Sequence, residues 1–318
     1  MHAQILYHGN CFDGCASAAL FGRYARERLG AGSATFRPLH HQPGDPFPPD
    51  AFEAELVACV DFRFSPRLHW WFDHHASGFP TPADRAAFDA DGTGQKFWDP
   101  TAPSCTGFIA RTLAGRDGWR ATDLEDLIRW ADVIDSASFE SPAQAVRLEE
   151  PALRIMTLLE ATKDPAVPTR LIEAMQRQPL QAIAAEPWVT APLGPILERH
   201  QGAISVVRQH ARQSDGVVEV DLGDTPLEGA NKFIAYELYP DATYTVVISR
   251  DAKKTKVSVG SNPWARERRR HDISKLCERY GGGGHPVVGA VTLPPGTLPE
   301  ARRIAAEIAR TLRGEGTA

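Results

Sequence analysis

The chain has 318 residues, long enough for two domains that each bury a core of their own. With 35 Lys or Arg against 40 Asp or Glu, its formal net charge of -5 argues against a protein that coats duplex DNA non-specifically. No apolar run approaches a membrane span, and Met1-His2-Ala3-Gln4 has neither a charged leader nor an apolar core, so a cytoplasmic protein is expected.

Ile5-Leu6-Tyr7 predicts a short strand that leads into His8-Gly9-Asn10-Cys11-Phe12-Asp13-Gly14, followed by a helix from Ala16 to Leu29. A second strand, Ala34 to Leu39, stops at His40-His41. A third, Leu56 to Val60, stops at Asp61. The fourth, Trp70-Trp71-Phe72, stops at Asp73-His74-His75, where Ser77-Gly78 offers the turn that lets two adjacent imidazoles share a site. Strands alternating with helices imply a mainly parallel sheet, and open α/β sheets bind ligands at the carboxyl ends of their strands. Four strands ending in Asp or His are therefore expected to pool their side chains along one edge.

Ser104 predicts the cap of a helix starting at Cys105. A further helix, Leu124 to Ile134, leads into Asp135 and sets Asp132 and Asp135 three residues apart on one face. From Ser141 to Ser214 the composition is helical and punctuated by proline. Its last long helix is predicted over 195–212, with Ser214-Asp215-Gly216 as the stop. Strands then follow at 217–220, 243–249 and 256–260. After the basic run Arg266-Glu267-Arg268-Arg269-Arg270 come a helix at 272–280, the glycine run 281–284, a strand at 287–293 and an amphipathic helix at 299–313. The expected organisation is an α/β protein with a metal-binding domain over 1–140, a helical connector over 141–215 and a smaller α+β domain over 216–318. The five cysteines are odd in number and show no Cys-x-x-Cys pair, so neither a disulfide framework nor a structural zinc site is expected.

His8, Asp13, Asp61, His74 and Asp132 are enough groups for two divalent ions, and a mixed Asp and His set favours manganese, zinc or iron over calcium. Paired ions about 3.5–4 Å apart are the usual device for displacement at phosphorus. A bridging carboxylate would serve both ions, a water between them would become hydroxide near neutral pH, and His75, if not a ligand, could donate a proton to the leaving oxygen. Gly281-Gly282-Gly283-Gly284 can form an anion-binding nest, with His285 as an added donor. A flexible turn is the plainer alternative.

Asp73-His74-His75, with His8…Asp13-Gly14, Asp61 and Ala131-Asp132-Val133 around it, resembles the DHH phosphoesterase superfamily. The run GGGGHPVVGA from Gly281 to Ala290 is similar to the glycine-rich motif of its associated C-terminal domain, and the size and layout are like those of the nanoRNase and oligoribonuclease members. The resemblance implies hydrolysis of phosphodiester or phosphoanhydride bonds with two divalent ions, manganese foremost. It makes His8 a ligand of the first ion, Asp13, His74 and Asp132 ligands of the second, and Asp61 the bridge. Asp73 would orient His74, and His75 would contact the scissile phosphate. Gly282, Gly283, Gly284 and His285 would hold the far end of the substrate, with Arg250 and Arg268 as further candidates and Asp135 as an additional member of the metal shell. One departure stands out. The family usually has Asp-x-Asp in its first motif. Here Asp13 matches the second acid, while Cys11 stands at the first and Asn10 just before it. A thiolate would favour a softer ion and an amide would bind a hard one less tightly, with His40 or His41 as another replacement.

The expectation is thus a metal-dependent phosphodiesterase acting on short oligonucleotides, linear dinucleotides or 3′,5′-bisphosphonucleotides through a metal-bridging hydroxide. An acidic balance that repels long polyanions supports the small substrate. Neither a membrane nor long duplex nucleic acid is an expected partner, and a homodimer is compatible with the chain. The alternatives are a phosphoanhydride hydrolase acting on pyrophosphate or polyphosphate, and a nucleotide sensor that has lost turnover.

Overall fold

Short apolar runs without polar alternation make strands that are covered on both faces, and the N-terminal third of the chain contains several. In the computed structural model, which describes residues 1–42, 44–225, 227 and 230–315, they form a wholly parallel sheet. Its elements are β1 (His2–His8), α1 (Phe12–Arg28), β2 (Ser33–Leu39), β3 (Leu56–Val60), β4 (Trp70–Asp73), α2 (Pro82–Asp89), β5 (Lys96–Trp98), α3 (Cys105–Asp117) and α4 (Glu125–Asp135). The strand order is β2-β1-β3-β4-β5, and every residue of β3 and β4 is buried. The register sets His8 beside Leu39, Tyr7 beside Val60, Val60 beside Phe72 and Asp73 beside Trp98. The strand tips therefore end at one level, as the alternation of strands and helices implied. Not anticipated were α2, which starts in a capping box between Thr81 and Asp84, and the three-residue β5.

The chain divides into two compact units, Met1–Phe139 with Leu148–Ile196, and Glu140–Arg147 with Leu197–Ala318. The span expected as one connector is shared between them. In the second unit lies α5 (Pro142–Arg147), while α6 (Pro151–Ala161), α7 (Ala166–Met175) and α8 (Leu180–Ala185) belong to the first, where α6 and α7 pack on α1. Helix α9 (Pro187–His210) starts eight residues before the predicted Pro195 and runs through Pro192 and Pro195. Each internal proline removes one backbone donor without ending the helix.

The second unit holds β6 (Ala211–Ser214), β7 (Val217–Asp221), α10 (Ile234–Leu238), β8 (Tyr244–Arg250), β9 (Thr255–Ser261), α11 (Ile273–Glu278), β10 (Gly283–His285), β11 (Val288–Leu293) and α12 (Leu298–Arg313). The strands form a mixed sheet in the order β10-β11-β9-β8-β7-β6, in which β7 and β8 alone pair in parallel. Asp215 and Gly216, with φ of 46° and 76°, make the two-residue hairpin turn that pairs β6 with β7. The stop signal at 214–216 therefore ends a strand, and helix α9 has already closed at His210. Helix α12 buries Leu298, Ala301, Ile304, Ala305, Ile308, Ala309 and Leu312, a stripe at helical spacing, in a core with Val246, Ile248, Val257 and Val259. Each large apolar side chain so buried contributes about 1.5–3 kcal/mol. No helix among the described residues is long and apolar enough to cross a membrane.

Candidate metal centre

The site forms at the carboxyl edge of the first sheet, wholly within the first unit. His8 is the last residue of β1, and the chain turns at Asn10, whose φ of 56° is left-handed, before α1 begins. Gly14 allows that close turn, since a Cβ there would lie 2.1 Å from the His8 carbonyl oxygen. In the first turn of α1, Asp13 is fully buried and faces the N-terminus of α3. It accepts hydrogen bonds from the Cys105 N–H (2.7 Å), the Thr106 N–H (3.0 Å) and the Thr106 hydroxyl (2.6 Å). The unpaired amides at a helix start favour an anion.

Asp61, at the end of β3, is the centre of the arrangement. It is 1 % exposed, its φ is 58°, and its N–H donates to the Phe72 carbonyl. One carboxylate oxygen, Oδ2, is 3.4 Å from His8 Nδ1, and the other, Oδ1, is 3.4 Å from His74 Nε2. The His74 Nε2 also lies 3.7 Å from Asp13 and 3.4 Å from Asp135. Two ligand groups result, His8–Asp61–His75 and Asp13–His74–Asp135, each close enough to enclose one ion.

The side chain of Asp73 makes the turn that the two histidines need. Its Oδ1 accepts from the backbone N–H of His74 (2.9 Å) and of His75 (3.2 Å), and from the His75 ring Nδ1 (2.8 Å). Gly78 lets the loop close over it, for a Cβ there would be 2.5 Å from Asp73 Oδ2. The carboxylate expected to orient His74 thus orients His75. The His74 ring is held by the Ala102 carbonyl, which accepts from its Nδ1 at 2.9 Å and leaves Nε2 to face the carboxylates.

The two acids of α4 separate in the same way. The Asp132 carboxylate accepts from the Ser104 hydroxyl at 2.5 Å and lies over Gly107, where a Cβ would come within 2.3 Å of it. Asp135, one turn on, is the acid that reaches His74. Asn10 is exposed, Cys11 occupies the N-cap position of α1 without a side-chain capping hydrogen bond, and neither falls within the two ligand groups.

Without an ion, protons balance this charge. Burial raises the Asp13 carboxyl well above its ordinary value, reinforced by the neighbouring charges of Asp61 and Asp135. Burial likewise raises Asp135. Burial acts to raise Asp61 too, but the neighbouring imidazoles of His74 and His8 outweigh it and hold the group below the usual carboxylate range. For His74, burial lowers and Asp61 raises, with a net push up to about 10. His75 is raised by its hydrogen bond to Asp73.

His8 Nδ1, both oxygens of Asp61 and His74 Nε2 are buried with no hydrogen-bond partner among the described residues. Each unpaired buried polar atom costs about 1–3 kcal/mol, and four that converge are better explained by a bound group than by strain. Nitrogen and carboxylate donors arranged about a shared acid fit two divalent cations.

The remaining expected site residues lie in the second unit. Gly283 and Gly284 are part of β10, paired with β11. A Cβ at Gly282 would lie 2.2 Å from the Ala290 carbonyl oxygen, and one at Gly284 (φ 149°) 2.3 Å from that of Val288, so close strand pairing itself requires these two glycines. His285 is exposed and sits opposite Val288. Arg268 lines a cleft of about 490 Å³ together with Arg266, Arg270, Gln213, Thr243 and Tyr244. Arg250 is not brought to the glycine run. The antiparallel register puts it opposite Thr255, at the Leu293 end of β11, whereas His285 pairs at the Val288 end. Five steps of strand separate these ends, roughly 17 Å.

No protein-family model matches the sequence, and no curated protein matches it. Solved structures do match, and the chain shares their fold. A pGpG-specific phosphodiesterase, PggH of Vibrio cholerae, superposes with a TM-score of 0.71 at 18% identity, over 99% of this chain and 100% of that one. A DHH domain described as a member of the s1p family of ribosomal proteins gives 0.58 at 14% identity, over 98% and 87%. RecJ from Thermus thermophilus, in complex with Mn2+, gives 0.52 at 15% identity, and the match spans 97% of this chain but 52% of that one.

Proposed function

We propose that the chain is a divalent-metal-dependent phosphodiesterase acting on a small nucleotide, with a linear dinucleotide as the first substrate to test. The observation that carries this reading is Asp61. A buried carboxylate with both oxygens unpartnered, one toward His8 and the other toward His74, is suited to bridge two cations. Two bound cations would polarise a phosphoryl group and lower the pKa of a bound water, the chemistry that phosphodiester hydrolysis needs.

The chain's own residues then take distinct roles. Asp61 would bridge the two cations, with His8 and His75 holding one and Asp13, His74 and Asp135 the other. The sequence resemblance gave His75 to the scissile phosphate and Asp132 to the second ion. Geometry favours His75 as a member of the first ligand group, and Asp135 in the position assigned to Asp132. Asp73 fixes the His75 ring, the Ala102 carbonyl fixes His74, and the N-terminus of α3 holds Asp13. The likeness over nearly all of both chains to a phosphodiesterase specific for pGpG supports the dinucleotide.

Hydrolysis of a linear dinucleotide, of a 3′,5′-bisphosphonucleotide and of pyrophosphate, each with manganese, tests the reading. Dinucleotide cleavage that vanishes in Asp61→Asn is the expected result. Preferential release of phosphate from pyrophosphate would assign an anhydride hydrolase instead. Saturable dinucleotide binding without turnover under any divalent ion would assign a sensor.

A further inference from the structure

The cleft beside Arg268 belongs wholly to the second unit and shares no residue with the metal centre. Tyr244, which lines it, heads β8, three strands from His285 by way of β9 and β11, or about 14 Å. The cleft is therefore separate from the glycine run as well. Its volume of about 490 Å³ is that of a small-molecule site. Two buried hydroxyls line it with bonding capacity unused. Tyr244 is 4 % exposed, and its oxygen accepts from the backbone N–H of Arg270 at 2.6 Å and of His271 at 3.1 Å. Both bonds use lone pairs, so the phenol proton has no acceptor among the described residues. Thr243 is 7 % exposed, and its hydroxyl makes no hydrogen bond among them either. Buried donors without acceptors are costly, and two on one cleft point to a ligand oxygen.

The charges around these hydroxyls are of both signs. Arg266 and Arg268 are exposed and form no ion pair among the described residues. Arg270 comes only to 3.8 Å from Glu267, whereas Arg313 is held by Glu219 at 2.7 Å. Asp215, Asp241 and Glu267 share the lining, so the cleft offers acceptors as well as donors. We propose that it is a second ligand site, for a nucleoside monophosphate whose base carries an amino group. The guanidinium groups of Arg266 and Arg268, with the Tyr244 and Thr243 hydroxyls, hold the phosphate, a charge-assisted arrangement. The carboxylates of Asp215 and Asp241 accept from the base. Guanine fits them best, because its adjacent ring N–H and amino group can both donate to one carboxylate.

The test is calorimetric titration of the full chain with guanosine 5′-monophosphate in excess chelator, which keeps the metal centre empty. One nucleotide per chain is expected, with uridine 5′-monophosphate, ribose 5-phosphate and inorganic phosphate each at least about 10-fold weaker, the loss of one hydrogen bond to a charged group. The double variant Arg266→Ala/Arg268→Ala should bind at least about 10-fold more weakly, and so should Thr243→Val, which keeps the shape and removes the hydroxyl. Circular dichroism should show the double variant folded, because both arginines are exposed. Absence of binding, equal affinity for inorganic phosphate or ribose 5-phosphate, or unchanged affinity in the double variant would overturn the proposal. So would loss of binding in Asp61→Asn, since that would put the nucleotide at the metal centre. The proposal does not rest on the hydrolytic reading: nucleotide binding by Asp61→Asn is expected whether or not the wild-type chain cleaves a dinucleotide.

Discussion

Asp61 adopts a left-handed backbone, with φ of 58°, that costs a residue other than glycine about 1–3 kcal/mol. The strain turns its carboxylate between His8 and His74, so conformation serves the site at the expense of the strand end. Asp61→Asn keeps the shape and removes the charge. Changing a partner that merely orients a ligand typically costs 10–100-fold in metal affinity, so loss of the carboxylate proposed as the bridge should cost at least about 100-fold, read by metal titration and by hydrolysis rate. His74 sets a pH dependence of definite sign. In the metal-free protein its imidazole, lowered by burial but raised more by Asp61, is pushed up from 6.5 to about 10. The cation's stabilising contribution is complete below pH 6.5 and lost as pH rises through about 10. An incoming ion must displace that proton, so affinity at the Asp13–His74–Asp135 position runs the other way and rises with pH across this window. Calorimetry in two buffers of different ionisation heat should detect the released proton. A pH-independent affinity would contradict His74 as a ligand.

At the scale of elements, the start of α3 organises much of the site. The Ser104 hydroxyl accepts from the Gly107 N–H at 2.9 Å and donates to Asp132, while the next two backbone N–H groups donate to Asp13. Ser104→Ala removes the cap at a cost of about 1 kcal/mol and leaves Asp132 without that donor. It should lower the urea midpoint and weaken the second ion by releasing Asp13, although Ser104 touches no ion-binding atom. Asp132→Asn should be milder than Asp135→Asn on metal affinity, the reverse of what the sequence motif alone implies. In the second unit, Gly284→Ala sets a Cβ against the Val288 carbonyl at a positive φ. Overpacking of this kind costs about 1–3 kcal/mol, so the variant should lose stability, and any fall in activity must be normalised to the folded fraction.

For the whole molecule, two compact units with separate cores invite separate unfolding transitions. All six residues of the two candidate ligand groups belong to the first unit. Manganese at about 100 times its dissociation constant should stabilise that unit by about 2.7 kcal/mol, moving its calorimetric transition upward and leaving the other in place. Excess chelator should reverse the shift. Equal shifts in both transitions would mean that the units unfold as one.

Much of this was legible in contiguous residues. An apolar run that stops at a carboxylate or imidazole shows where a strand ends and what its tip carries, so β1, β3 and β4, with His8, Asp61 and Asp73-His74-His75, could be read from the sequence, as could the Ser104 cap. These signals survive because each is determined within a few residues. The choice of partner was not legible. Asp132 and Asp135 share a helix face, and only the packing of α4 beside α3 decides that one meets Ser104 while the other meets His74. Asp73 could have served either histidine, and the Ala102 carbonyl, 28 residues away in sequence, took His74. Arg250 is a candidate for the far end of the substrate in the sequence, and antiparallel pairing sets it at the end of its strand away from the glycine run. Local chemistry decides what each segment offers, and long-range register and packing decide which offers meet.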